Sequence, residues 1–237
     1  MELPAGFAVH RAGRGRRVIA PAHLLPGLLA AGLDRPEDAL RGRAAVPGSG
    51  RGPRAVVRLP GGERVLVKQY LRGGVLARFN RDRYAGAGRF LRELAVGARL
   101  RERGLPVGEV RAVVIAGSGP VVRAWGIARF VPGAPDLVRW FTGLVSEEAE
   151  AAVLWRSALS LLDRFHDAGL RHPDLNLGNL LARREEKVFR LWLVDLDRAR
   201  LAPGPLGPGP RAAGRNRLAR SYRKVVGREP PETRRSA

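Results

Sequence analysis

Cysteine is absent from this chain. That excludes a disulfide framework, a thiolate metal site and a thiol nucleophile, and it is compatible with a reducing compartment. Aromatic residues are few, 6% of the sequence, and are not interleaved with the basic residues. The stacking platform of a single-strand binder is therefore missing, and no nucleic-acid partner is expected. No apolar run approaches the roughly 18 residues that a membrane-spanning helix needs. The N-terminus has no basic stretch leading into a long apolar core, so no secretory leader is expected. Lysine is also scarce: of 43 Lys and Arg residues only Lys68, Lys187 and Lys224 are lysines.

Arginine takes its place and leaves a formal net charge of +21. Such a surface attracts polyanions, and with nucleic acid set aside an anionic glycolipid or an anionic membrane surface fits best. The plain alternative is compositional, because Ala, Gly and Pro are abundant alongside Arg. At 237 residues, 45% of them hydrophobic, the chain can build one large domain or two lobes with real cores.

The densest chemistry lies in the run Arg171 to Leu181, RHPDLNLGNLL. His172, Asp174 and Asn179 satisfy the spacing H-x-D-x-x-x-x-N of a phosphotransfer loop. Asp195 follows at the end of an apolar run, Leu193-Val194-Asp195-Leu196-Asp197. Phosphoryl transfer from ATP needs these groups: one carboxylate to orient the attacking hydroxyl and take its proton, and an amide oxygen and a second carboxylate to hold Mg²⁺ on the phosphates.

The N-terminal half reads as the other part of such a site. Short strands are expected within Phe7 to Ile19, a short or broken helix in Leu24 to Leu33, and a helical turn from Pro36 with Asp34 as its cap. Gly48, Gly50 and Gly52 form a G-x-G-x-G loop ahead of a hairpin, Ala55 to Leu59 and Arg64 to Tyr70, and such a loop can lay N–H groups over phosphates. Lys68 ends the returning strand, where a flexible ammonium suits a phosphate contact. Arg72 to Gly88 reads as a basic loop or broken helix. Ala87 to Arg103 has helical periodicity and carries Glu93, a candidate partner for Lys68. With a second hairpin, Val110 to Ala116 and Val121 to Val131, the expectation is a five-stranded antiparallel sheet with one helix.

After Pro132-Gly133-Ala134-Pro135, read as a linker whose backbone would meet an adenine ring, the pattern turns helical. Asp136 to Leu144 is expected as a short helix and Ser146 as the cap of a long one reaching about Ala168. Trp140, Trp155 and His166 read as packing groups. Leu180 to Arg183 and Phe189 to Val194 read as a hairpin. Pro203 to Pro210 alternates Pro and Gly and is expected to be irregular, Arg211 to Val226 to be a basic helix, and residues 228 to 237 to be disordered. The expected division is an N-terminal lobe of residues 1 to 131 and a C-terminal lobe of residues 132 to 237.

Taken with Lys68-Gln69-Tyr70-Leu71-Arg72-Gly73-Gly74, Arg81-Asp82-Arg83-Tyr84, Arg92-Glu93-Leu94, Phe165-His166-Asp167-Ala168-Gly169 and Asp195-Leu196-Asp197-Arg198-Ala199-Arg200, the chain resembles the lipopolysaccharide kinase family. Within it, the 3-deoxy-D-manno-octulosonic acid (Kdo) kinases are most similar. The resemblance runs from about Gly48 to Val226. D-L-N in place of D-L-K, and D-x-D-R in place of D-F-G, set the chain apart from protein kinases. Two departures from the pattern are Pro173 and a glycine loop without an aromatic tip.

The resemblance implies an α+β, protein-kinase-like bilobal fold and ATP-dependent phosphorylation of an inner-core sugar hydroxyl, the 4-hydroxyl of Kdo on lipid A. It implies Asp174 as the base, Asn179 and Asp195 as Mg²⁺ ligands, Lys68 on the phosphates and Glu93 on Lys68. Asp197 either binds metal or pairs with Arg198 or Arg200, and His172 supports the loop by hydrogen bonding. Arg72, Arg78, Arg81 and Arg83 are candidates to meet the anionic acceptor, Kdo-lipid A or a related glycolipid. A membrane-embedded acceptor implies a cytoplasmic enzyme peripheral on the inner membrane. A core heptose or another small molecule is the alternative acceptor, and a non-catalytic nucleotide-binding, membrane-associated module the alternative class. A peptide acceptor is not expected, since no A-P-E run occurs in the about 40 residues after Asp197.

Overall fold

The computed structural model describes residues 3–13, 15–41, 52–71, 82–117, 119–186 and 188–231. In chain order its described elements are β1 (Phe7–Ala12), β2 (Arg16–Pro21), α1 (Leu25–Ala30), α2 (Pro36–Arg41), β3 (Arg54–Arg58), β4 (Arg64–Gln69), β5 (Tyr84–Ala85), α3 (Gly88–Glu102), β6 (Val107–Gly108), β7 (Val110–Ala116) and β8 (Val121–Arg129). There follow α4 (Leu137–Arg139), continuing as a π-helical turn Trp140–Leu144, then α5 (Glu148–Asp167), β9 (Leu170–Arg171), a 3-10 turn Leu177–Asn179, β10 (Leu180–Glu185), β11 (Val188–Val194), β12 (Arg200–Leu201) and α6 (Pro208–Val226). The contacts divide the chain into two compact units. One comprises the residues up to Arg99 together with Gly108–Phe130, the other Leu100–Val107 and everything from Val131 onward.

The first unit is a seven-stranded antiparallel sheet in the order β1-β2-β7-β8-β4-β3, with β5 on β8. Five strands were expected. The sheet is larger because β1 and β2 pair with each other and then extend it through β2 on β7, and because β5 adds a two-residue rung on β8. Strict alternation in β3 and β4, with Ala55, Val57, Val65 and Val67 buried, marks strands with two distinct faces. Both faces are covered. Val57, Val65, Val67, Val114 and Ile127 pack with Leu28 and Leu33, beneath α1 and α2. Ile19, Val113, Ile115 and Val122 pack with Phe90 and Leu94 of α3. Burial on both sides is why β7 reads as a near-continuous apolar run.

The second unit is built on α5. Its buried stripe of Leu154, Trp155, Ala158, Leu161, Leu162, Phe165 and His166 follows the 3.6-residue period. Glu148 and Glu150 lie in its first turn and Arg164 in its last, complementing the helix dipole at both ends. Its cap is Glu147, in extended conformation and without a side-chain cap bond. Ser146 therefore falls one residue short of the capping position expected of it.

Helix α6 packs on this stripe with Gly214, Leu218 and Tyr222 buried. Tyr222 is fully enclosed, with ring centroids 5.2 Å from Trp155 and 4.9 Å from Phe141. The helix starts at Pro208, inside the Pro/Gly segment expected to be irregular. Pro208 and Pro210 are tolerated because the first-turn N–H groups have no intrahelical acceptor to lose. Residues 228–231 are described, with Arg223 Nε 3.0 Å from Glu229 Oε2; the rest of the expected disordered tail lies outside the described residues.

Gly214 sits where α6 crosses α5. A Cβ there would lie 2.7 Å from His166 Nε2, on a ring that is 3% exposed. Gly→Ala in a helix interior ordinarily stabilises by roughly 1 kcal/mol, but overpacking a rigid core costs about 1–3 kcal/mol. Gly214→Ala is therefore expected to lower stability in chemical denaturation. Gly209→Ala, where nothing lies within 4 Å of the added Cβ, is expected to be neutral or stabilising.

Candidate active site

In the first unit, β4 carries Lys68 and α3 carries Glu93. Lys68 Nζ lies 3.1 Å from Glu93 Oε1, and Tyr70 Oη donates to Glu93 Oε2 at 2.6 Å. Glu93 is 1% exposed. A carboxylate so removed from water persists only when ion-paired and hydrogen-bonded, and here each oxygen has its own partner. The Tyr70 ring is fixed against Phe90, centroids 4.5 Å apart, and lies 5.1 Å from Lys68 Nζ.

Gly126 of β8 is the residue opposite Lys68 in the sheet. A Cβ on it would come within 2.8 Å of Tyr70 Oη and 3.1 Å of Lys68 Cε. The strand is thus emptied of a side chain where the lysine and tyrosine turn toward Glu93. Sequence reasoning missed Gly126, although an isolated glycine in a strand is the signal for such a close approach. Gly52 likewise leaves room for the chain beside it, its Cβ position being 3.1 Å from the Gln69 carbonyl oxygen. Gly48, Gly50, Arg72, Arg78 and Arg81 lie outside the described residues, and Arg83 is exposed beside β5.

In the second unit, β9 leads straight from α5 into the loop of His172 and Asp174. Asn176 caps the 3-10 turn by accepting from Gly178 N–H at 2.9 Å, and its amide donates to the Asp174 carbonyl at 2.8 Å. Asn179 Nδ2 donates to the same carbonyl at 3.0 Å. Two side-chain amides therefore hold the Asp174 backbone, and the turn is tied to α6 by Leu177 N–H donating to Ser221 Oγ at 3.1 Å. The Asp174 carboxylate is half exposed and meets Arg198 Nη1 at 3.2 Å.

His172 is buried, with Nε2 3.1 Å from the Asp195 carbonyl. Since a carbonyl only accepts, Nε2 carries the proton. Burial pushes the His172 pKa below its usual value, against the opposing pull of the Asp195 carbonyl and the carboxylates of Asp195, Asp174 and Asp197. A neutral ring thus links the two acidic segments. Asp195 itself has φ +61°, a left-handed conformation uncommon for a residue other than glycine. It turns the chain directly after β11, which is paired with β10 from Leu193–Leu180 to Val188–Glu185.

The donor set fits magnesium. Asn179 uses its Nδ2 on the Asp174 carbonyl, so its Oδ1 is the atom that could face a cation, and Asp195 carries a carboxylate. Among the described residues no group of three His, Cys, Asp or Glu side chains forms a metal cage. Mg²⁺ is commonly held by one or two protein oxygens together with substrate phosphates.

A sheet unit with a buried Lys–Glu pair and a largely helical unit with an Asp/Asn loop are the parts of a protein-kinase-like phosphotransferase, and the similarity to solved structures agrees. A structure described as WaaP in complex with acyl carrier protein matches 88% of this chain and 82% of its own, with a TM-score of 0.53 and 18% identity. The PknI kinase domain of Mycobacterium tuberculosis matches 81% and 74%, with a TM-score of 0.50 and 21% identity. The profile of the Lipopolysaccharide kinase (Kdo/WaaP) family matches residues 39–221, and the chain belongs to this family. It is 31% identical to the 3-deoxy-D-manno-octulosonic acid kinase of Haemophilus influenzae (strain 86-028NP), over 70% of this chain and 69% of that one. It is 35% identical to the enzyme of that name from Xylella fastidiosa (strain 9a5c), over 78% and 72%.

Charge-assisted hydrogen bonds are worth about 1.5–3 kcal/mol, or roughly 10- to 100-fold in a rate that depends on one. Glu93→Gln keeps an acceptor for Tyr70 but removes the charge facing Lys68. It is expected to slow ATP-dependent transfer by that factor, and Gly126→Val to do the same by displacing Tyr70 and Lys68. Steady-state assays of folded variants check this, and unchanged rates in both would refute it.

Proposed function

We propose that this chain transfers the terminal phosphoryl group of ATP to the 4-hydroxyl of Kdo on lipid A. The reading is supported by the family to which the chain belongs and by the names of its relatives. The observation that carries it is the Asp174 loop: a solvent-reachable carboxylate whose backbone is held by Asn176 and Asn179. That is the preorganisation a base needs.

In the reaction the sugar O4 forms a bond to the γ-phosphorus while the bond from phosphorus to the β,γ-bridging oxygen breaks. Asp174 orients the hydroxyl and takes its proton, leaving ADP and a phosphomonoester. Lys68 neutralises phosphate charge, and Glu93 with Tyr70 keeps its ammonium in place. Gly48, Gly50 and Gly52 supply backbone N–H groups to the phosphates. Asn179 and Asp195 would hold Mg²⁺, which when bound would offset the charge developing on the phosphate oxygens. His172 keeps Asp195 and Asp174 in register, and Asp197 supports the same segment.

Among the described residues no helix is long and apolar enough to cross a membrane. The charge of +21 and a lipid-anchored acceptor favour peripheral attachment to the anionic cytoplasmic face of the inner membrane. Arg72, Arg78, Arg81 and Arg83 are proposed to meet the acceptor's phosphates and carboxylates.

The test is mass spectrometry after incubation with ATP, Mg²⁺ and a panel of acceptors: Kdo-lipid A, heptose-containing core, and an aminoglycoside. One added phosphate on Kdo-lipid A is expected. Asp174→Ala should reduce transfer by about 10²- to 10⁴-fold with the thermal midpoint kept. Phosphate only on heptose would reassign the acceptor, and full activity in Asp174→Ala would remove Asp174 from its role.

A further inference from the structure

Arg198 lies beside the proposed base for a topological reason. Strand β12 pairs antiparallel with β9, Arg200 opposite Arg171 and Leu201 opposite Leu170. The residues just before β12 therefore return to the residues just after β9. A turn closed by Ala199 N–H on the Leu196 carbonyl at 3.0 Å brings Arg198 Nη1 to Asp174 Oδ2 at 3.2 Å. In the D-L-K of protein kinases a lysine stands two residues after the aspartate. Here that position is Asn176, and its amide is engaged within the loop. The cation beside Asp174 comes from Arg198 instead.

This contact does little for the fold. Guanidinium and carboxylate are 66% and 54% exposed, and exposed pairs of this kind contribute little to stability. The contact is also single-pronged: one of the five guanidinium N–H groups is used on Asp174, and most of the rest of the group faces solvent. What it offers is an unspent fork of donors next to the atom that receives the acceptor's hydroxyl.

We propose that Arg198 determines acceptor specificity by binding the carboxylate of the acceptor sugar. This rests on the Kdo reading above. In a 3-deoxy-2-ulosonic acid the carboxyl carbon is C1 and the reacting oxygen is on C4, four bonds away. With the 4-hydroxyl on Asp174, the carboxylate of the same sugar falls within reach of a guanidinium already touching Asp174. Without Arg198 that carboxylate would approach the like charge of Asp174. A forked guanidinium matches a planar carboxylate in a way that an ammonium does not, so neutral sugars such as heptoses gain nothing from it.

The test compares two acceptors, Kdo-lipid A and the same molecule with its Kdo carboxyl converted to a neutral methyl ester. Wild-type enzyme is expected to favour the acid by roughly 10- to 100-fold in kcat/KM, mainly through KM. In Arg198→Gln the two acceptors are expected to become equivalent, and Arg198→Lys to restore part of the preference. Where a variant turns over too slowly to assay, equilibrium binding of the two acceptors reads the same ratio. A wild type indifferent to the ester, or an Arg198→Gln enzyme that still prefers the acid, overturns the proposal. A residue that only positioned Asp174 would slow both acceptors alike and leave their ratio intact. No transfer to either acceptor by wild type, with transfer to another sugar, overturns the Kdo reading and this proposal with it.

Discussion

A carboxylate held almost wholly out of water constrains the first unit more than any other group. Glu93 sits at 1% exposure among the apolar residues of α3 and the sheet, where an unpaired charge would cost several kcal/mol. Two separate pieces of chain make it tolerable. Strand β4 brings Lys68, the residue just beyond β4 brings Tyr70, and β8 withholds a side chain at Gly126 so that both can turn inward. The register of β4 on β8, with Lys68 opposite Gly126, is thus tied to the chemistry as well as to the packing. A slip of one residue would exchange the faces of β4, sending Lys68 to the side lined by α1 and α2.

The second unit solves a different problem, the holding of an exposed carboxylate. Asp174 is secured through its backbone rather than its side chain. Asn176 and Asn179 both donate to its carbonyl, and Ser221 of α6 fixes the following turn. The carboxylate is left to the solvent and to Arg198. Helix α6 also closes on His166 through Gly214, and its remaining surface is basic. Its buried face therefore supports the loop.

Much of this was legible in the residues. The hairpins of β3–β4, β7–β8 and β10–β11, and the long helices α3 and α5, follow from period-2 and period-3.6 patterns with turn residues between them. The meeting of Lys68 and Glu93 could be expected because Lys68 is one of three lysines in a chain that otherwise uses arginine, and Glu93 is the acid within the body of α3, Glu102 being its last residue. What stayed hidden depended on partners distant in sequence. Strands β1 and β2 alternate only weakly, and nothing local announces that they extend the sheet. The Pro/Gly stretch gave no hint that a helix begins inside it, since proline is as compatible with a first turn as with a loop. For Arg198 the sequence offers its neighbour Asp197 as one partner among open alternatives, because proximity along the chain is visible and the β9–β12 pairing that carries it to Asp174 is not.

The proposed reaction lines up the hydroxyl on C4 of an acidic sugar with Asp174. Phosphorus–proton correlation NMR on the product of Kdo-lipid A and ATP tests it most directly. One new phosphomonoester, absent from the acceptor before reaction, is expected, coupled to H4 of Kdo. A new phosphate, absent from the acceptor before reaction, coupled to any other sugar proton contradicts it.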